Sequence, residues 1–168
     1  MGKLRVYTGD GAGKTTAALG VALRAAGWKQ KTVFIQFMKG RPTGELKAAE
    51  KLAPYLEIKQ FGGREFVDLR KPSGRDKMRA GKALEFARKA LAKKPGLLVL
   101  DEVNLAAAIG LVEPAEVLAL ARAAPKKTTL IFTGRSAPKQ FVEAADFVSE
   151  VRNVKRPVGL KPVKGIEY

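Results

Sequence analysis

A glycine-rich loop stands where a short apolar strand gives way to a helix, and this junction restricts the fold more than any other feature of the chain. Leu4-Arg5-Val6-Tyr7 reads as the strand, Gly9-Asp10-Gly11-Ala12-Gly13-Lys14-Thr15-Thr16 as the loop, and KTTAALGVALRAAG, ending at Gly27, as the helix. Glycines let backbone N–H groups curl around phosphate oxygens without a Cβ clash. The helix N-terminus adds its dipole and its free N–H groups. Lys14 offers a point charge to phosphate and Thr15 a hydroxyl to Mg2+. In the full motif four residues separate the two glycines, which would put the first at position 8. That position is Thr8 and the first glycine is Gly9, so the loop is one residue short. The alternative is a glycine turn that caps a helix and holds no ligand.

The rest of the chain alternates in the same way. Thr32 to Met38 is an apolar run suited to a buried strand, Glu45 to Leu52 a helix ended by Pro54, and Leu56 to Phe61 a third strand. Ser73 caps a long helix, with Asp76 three residues on as a near capping box, and that helix stops at Pro95-Gly96. Leu97 to Leu100 is a central strand, Pro114 to Ala123 a helix, Thr128 to Thr133 a strand, Pro138 to Ala145 a short helix and Phe147 to Val151 a last strand. Strands separated by helices, without hairpin signals, predict right-handed crossovers and a parallel sheet. The expected fold is α/β: a three-layer parallel sheet flanked by helices, of the RecA-like P-loop NTPase type, in one domain over 1–168. Phe61 to Pro72 is the least regular stretch and reads as a functional loop. Val154 to Tyr168 reads as an irregular tail folded onto the domain.

Two further strand ends point at the same edge. LLVLDE (Leu97 to Glu102) is an apolar strand closing on two carboxylates, the pattern that sets an acid beside the phosphate loop. Asp101 or Glu102 could bind Mg2+, directly or through water. Asp101 as a plain helix cap before VNLAAAIG is the other reading. Arg135, after the TTLIFT strand, could neutralise a polyphosphate bidentately, or could simply be a surface arginine.

Composition narrows the chemistry. The chain of 168 residues has neither Cys nor His, which removes thiol catalysis, zinc-thiolate and iron–sulfur sites, and the usual general base. No stretch approaches the 18 or so apolar residues of a membrane span, so a soluble cytoplasmic protein is expected. With 32 Lys plus Arg against 16 Asp plus Glu the formal net charge is +16. That favours polyanionic partners, although many of the cations recur at helical spacing, as in RDKMRAGKALEFARKALAKK, and read as solvated surface.

The words of this sequence resemble those of the single-domain P-loop corrinoid adenosyltransferases. They run nearly end to end: YTGDGAGKTTAALGVALRAAG, QFMKG, Gly44-Glu45, FGGREFV, LLVLDEVNLAAAIGLV, TGRSAP, ADFVSEV and GIEY. The resemblance implies a shortened P-loop that binds ATP in an unusual sense, with C5′ offered to the cobalt of a reduced corrinoid. It implies that Gly9, Asp10, Gly11, Ala12, Gly13, Lys14, Thr15 and Thr16 cradle the triphosphate. Lys14, Thr15 and Glu102 then carry the catalytic roles, with Thr15 and Glu102 as the Mg2+ contacts. Arg24 and Arg135 assist with nucleotide or phosphate. Phe66 matches an aromatic position near the corrinoid, and Asn104 and the Gln36-Phe37 strand end border the same space. The chain departs from the family at Ala12, often Lys, at Arg156, where the tail often reads KHP, and at Arg64, where some members carry a second aromatic.

The chemistry suits this residue inventory. Co(I) is itself a strong nucleophile, so attack at C5′ needs no general base; the protein has to position two substrates and stabilise the departing triphosphate. An external reductant, a reduced flavoprotein, must supply the electron. A homodimer is what the family suggests, with no membrane partner. The rivals are a RecA-like ATPase acting with nucleic acid, a nucleotide sensor without turnover, and a small-molecule kinase. Nucleic acid is disfavoured because no strand platform of interleaved aromatic and basic residues is evident, and the kinase because no acceptor-site base is evident.

Overall fold

The computed structural model describes residues 2–155, 159 and 161–166. Six strands form one parallel sheet: β1 (Leu4–Thr8), β2 (Thr32–Phe37), β3 (Leu56–Phe61), β4 (Leu97–Asp101), β5 (Thr129–Thr133) and β6 (Phe147–Glu150), in the order β3-β2-β4-β5-β1-β6. The helices between them are α1 (Lys14–Gly27), α2 (Gly44–Lys51), α3 (Gly74–Ala92), α4 (Val103–Ala108), α5 (Pro114–Arg122) and α6 (Lys139–Ala144). The expected α/β architecture is what is found.

The central strands are apolar on both faces because both faces are covered, and successive side chains point in opposite directions. Phe34, Val99 and Ile131 pack with Ala18 and Ala22 of α1. Their neighbours Ile35, Leu98, Leu100, Leu130 and Phe132 pack on the other face, with residues of α3, α4, α5 and Phe141 of α6. Two apolar layers therefore clamp the sheet, and β6 closes one edge with its four residues exposed.

Chain order positions the site. β5 lies between β1, which leads into the phosphate loop, and β4, which ends on the acidic pair. Because every pairing is parallel, both motifs nevertheless emerge at the same edge. Such an edge, where consecutive connections diverge, is where open α/β sheets bind ligands.

Local chemistry sets the element ends. Ser73 and Asp76 make the full reciprocal capping box: Asp76 N–H donates to Ser73 Oγ at 3.2 Å and Ser73 N–H to Asp76 Oδ2 at 3.0 Å. β2 stops one residue before its expected end, because Met38 turns into the left-handed region at φ 58°. Asp101 belongs to the strand and caps nothing. Glu102, also left-handed at φ 64°, takes the residue before α4, and its side chain makes no capping bond.

Candidate active site

The phosphate loop packs against the segment that follows β6. Gly11 N–H donates to Val151 O at 2.8 Å. A Cβ on Gly9 would lie 2.4 Å from Val151 O, and one on Gly11 2.7 Å from it, so both positions demand glycine; Gly9 and Gly13 also sit at φ 95° and 111°. Lys14 opens α1 and curls back, its Nζ donating to Gly9 O and Gly11 O, each at 2.6 Å. Burial lowers the pKa of this ammonium, Glu102 opposes the shift and Arg135 adds to it. Ala12 N–H, which points out of the loop, donates to Asn153 Oδ1 at 3.2 Å.

Around the loop opens a cavity of about 840 Å³, lined by Asp10 to Thr16 together with Lys39, Glu45, Glu102, Arg135 and Asn153. Asp101 stands behind its wall, fully buried, as the hub of a hydrogen-bond network. Its Oδ1 accepts from Thr15 Oγ1 at 2.7 Å and from Thr133 Oγ1 at 2.6 Å. Its Oδ2 accepts from Lys39 Nζ at 2.9 Å and from Gln36 Nε2 at 3.2 Å. Gln36 Nε2 also reaches Glu45 Oε1 at 3.1 Å. The two carboxylates of the LLVLDE motif are thereby divided: Asp101 is consumed by four donors, while Glu102 faces the cavity. The pKa of Glu102 is pushed up by its burial and by neighbouring Asp101, against the pull of Lys39, Lys14 and Arg135.

Asp10, Gly11, Ala12, Gly13, Lys14, Thr15, Thr16, Glu102 and Arg135 thus share one cavity, and Gly9 supports it through its carbonyl. The other candidate residues lie elsewhere. Arg24 is exposed in the last turn of α1, about 15 Å along the helix from Lys14 at 1.5 Å per residue. Phe37 is fully buried in the core. Asn104 is fully buried too, its Nδ2 donating to Tyr7 O and Gly134 O, both at 3.1 Å, so it ties the ends of β1 and β5 together behind the cavity. Phe66 is 87% exposed on the loop before α3, with the Arg41 guanidinium 4.6 Å above its ring and Arg41 Nε bonded to Arg64 O. Arg156 and the last two residues of GIEY, Glu167 and Tyr168, lie outside the described residues.

Lys39, Glu45 and Asn153 line the cavity without having been singled out as site residues from the sequence. Lys39 had a usable signal, since it follows a strand whose end must lie at the ligand edge. Asn153 had none, because it meets Ala12 only through a fold that joins positions 141 residues apart.

Hard oxygen donors, clustered cations and a glycine cradle at one sheet edge are equipped to hold a nucleoside polyphosphate. Comparison with known proteins agrees with that geometry. The family described as "ATP:corrinoid adenosyltransferase BtuR/CobO/CobP" matches residues 1–168. A "Corrinoid adenosyltransferase" of Pseudomonas aeruginosa is 35% identical over 170 residues, covering 99% of this chain and 84% of the relative. One of Escherichia coli K12 is 33% identical over 171 residues, covering 99% and 86%. The "Corrinoid adenosyltransferase CobA" of Salmonella typhimurium shows the same identity and coverage. The fold, the shortened phosphate loop and these full-length matches together assign the chain to the ATP:corrinoid adenosyltransferase family.

Proposed function

We propose that the protein transfers the 5′-deoxyadenosyl group of ATP to the Co(I) centre of a reduced corrinoid, in the synthesis or salvage of adenosylcobalamin. The cobalt electron pair forms the Co–C5′ bond, the C5′–O5′ bond breaks, and triphosphate leaves with that bond's electrons. The observation that carries this reading is the one-residue-short phosphate loop opening into a cation-rich cavity, in a chain of this family.

Each residue then has a physical task. The loop N–H groups not engaged by Val151 and Asn153, together with Lys14, hold phosphate oxygens; Lys14 exchanges its two loop carbonyls for them, trading neutral acceptors for charged ones. Arg135, which lines the same cavity, adds a second cation. The leaving group gains negative charge as C5′–O5′ breaks, so fixed cations lower the barrier more than they tighten the ground state. No side chain has to move a proton, in keeping with the absence of histidine and cysteine. Phe66, exposed and carried on an irregular loop, is suited to cover an apolar face of the corrinoid. Arg24, Phe37 and Asn104 do not line the cavity, so any part they play is through the elements they support.

The donor set fits Mg2+. Thr15 Oγ1 gives its proton to Asp101 and so keeps a lone pair for a cation, and the Glu102 carboxylate faces the cavity, its pKa raised first by burial and then by Asp101. When bound there, Mg2+ would neutralise phosphate charge. The proposal further includes an external reduced flavoprotein as electron donor, a homodimeric assembly and a cytoplasmic location. Among the described residues no helix is long and apolar enough to cross a membrane.

The deciding measurement mixes the protein anaerobically with Mg-ATP and chemically reduced cob(I)alamin. A light-sensitive cobalt–carbon product formed one-to-one with triphosphate, and lost in Lys14→Ala, is expected. Release of ADP and phosphate without adenosylated corrinoid would overturn the reading in favour of the nucleic-acid ATPase, which no feature of the site favours.

A further inference from the structure

Lys39 is an unusual neighbour for a divalent-cation site. It follows Met38, whose left-handed backbone comes directly after the end of β2. Its ammonium lies 2.9 Å from Asp101 Oδ2, and Asp101 is fully buried while Lys39 is 31% exposed and lines the cavity. Of the four groups that donate to Asp101, Thr133 and Gln36 are buried in the sheet and Thr15 is fixed at the start of α1. Lys39 alone is charged, long, flexible and in contact with the cavity. Lys14 and Arg135 also act on Glu102 through the cavity, but among the described residues Lys39 is the cation ion-paired to Asp101 itself, and it is the one donor able to leave.

We propose that Lys39 is an exchangeable internal cation: it occupies Asp101 while the site is empty, keeping divalent ions off the acidic pair, and moves to the polyphosphate when nucleotide arrives. Two cations compete for one acidic pair, because a divalent ion beside Glu102 and Thr15 would lie within a few ångströms of the Lys39 ammonium and be repelled by it. A bound polyphosphate removes the conflict by offering Lys39 a better partner. Metal and nucleotide then load together, and the departing triphosphate has a further cation beside it. This rests on the Mg–ATP reading of the cavity, but it concerns two binding equilibria that do not involve adenosyl transfer.

The test uses the full chain without nucleotide. Mn2+ is titrated by electron paramagnetic resonance, and inorganic triphosphate is titrated calorimetrically in EDTA, for the wild type, Lys39→Gln and Lys39→Arg. Lys39→Gln is expected to bind Mn2+ at least about tenfold tighter and triphosphate about tenfold weaker. Lys39→Arg, which keeps the charge, stays near the wild type in both. A merely structural lysine would move both affinities in the same direction, so weakening of both overturns the proposal. Unchanged Mn2+ affinity in Lys39→Gln, or Lys39→Arg matching Lys39→Gln, overturns it as well. Failure of the wild type to adenosylate any corrinoid would sink the function proposed above and leave these two affinities to decide the role of Lys39.

Discussion

Thr15 and Asp101, 86 positions apart, are joined by a 2.7 Å hydrogen bond in which the phosphate-loop hydroxyl donates and the β4 carboxylate accepts. β5 separates β1, which leads to Thr15, from β4, and the bond ties the start of α1 to the end of β4. Asp101 is a structural hub as well as part of the site's charge balance.

Asp101→Ala should accordingly be among the most damaging single changes. It removes the acceptor of the Thr15 and Thr133 hydroxyls, while Gln36 keeps Glu45 and Lys39 can turn into the cavity. Leaving a buried donor without its acceptor costs about 1–3 kcal/mol. Urea unfolding should report a loss of that size with an unchanged m value; a loss below about 1 kcal/mol would show that the network is dispensable.

Glu102→Gln should separate stability from activity. The raised pKa of Glu102, caused first by burial and then by Asp101, means that the folded state holds the proton more tightly than the unfolded one. Its ionisation therefore costs stability once pH rises above the ordinary carboxylate range, and the cost vanishes below that range, where both states are protonated. The neutral variant should melt higher than the wild type at pH 7 and at the same temperature in acid, while adenosyl transfer falls by about a hundredfold or more. A lower melting temperature at pH 7 would contradict the electrostatic account.

Gly9→Ala and Gly20→Ala form a matched pair. At Gly9 the new methyl meets Val151 O at 2.4 Å and the backbone is left-handed, so the loop must distort. We expect about 1–3 kcal/mol lost and nucleotide binding weakened more than tenfold. At Gly20, within α1, a Cβ meets nothing within 4 Å, and Ala should stabilise by about 0.4–1 kcal/mol without touching ATP affinity. Thermal melts and nucleotide titrations on the two variants check both directions.

Phe66→Ala tests the corrinoid face. The ring is 87% exposed and its contact is with a surface arginine, so stability should stay within about 0.5 kcal/mol of the wild type. Turnover with Co(II) corrinoid and a reductase should fall by more than turnover with corrinoid already reduced to Co(I). Unchanged turnover in the first assay would remove Phe66 from the site.

Local patterns were legible wherever the determinant was local. The strand–loop–helix start, the apolar runs of β2, β4 and β5, the Ser73–Asp76 box and the Pro95-Gly96 stop each follow from a few adjacent residues, and the structure has each of them. The one-residue difference at Met38 and the left-handed turn at Glu102 were not legible, because ordinary side chains adopt such backbone only when tertiary contacts hold them there.

The sequence by itself determined the parallel α/β class, the phosphate loop with its missing residue, and the acidic strand end, because glycine freedom, apolar runs and helix caps act over neighbouring residues. Only the tertiary structure decided which carboxylate faces the cavity, that Lys39 sits on Asp101, that Asn153 meets the phosphate loop, and that Phe37 and Asn104 are buried behind the site while Arg24 lies away from it. Those outcomes depend on strand order and on where each chain turn leaves the sheet. Residues far apart in sequence are brought within hydrogen-bond reach there only after the two apolar layers have closed on the sheet.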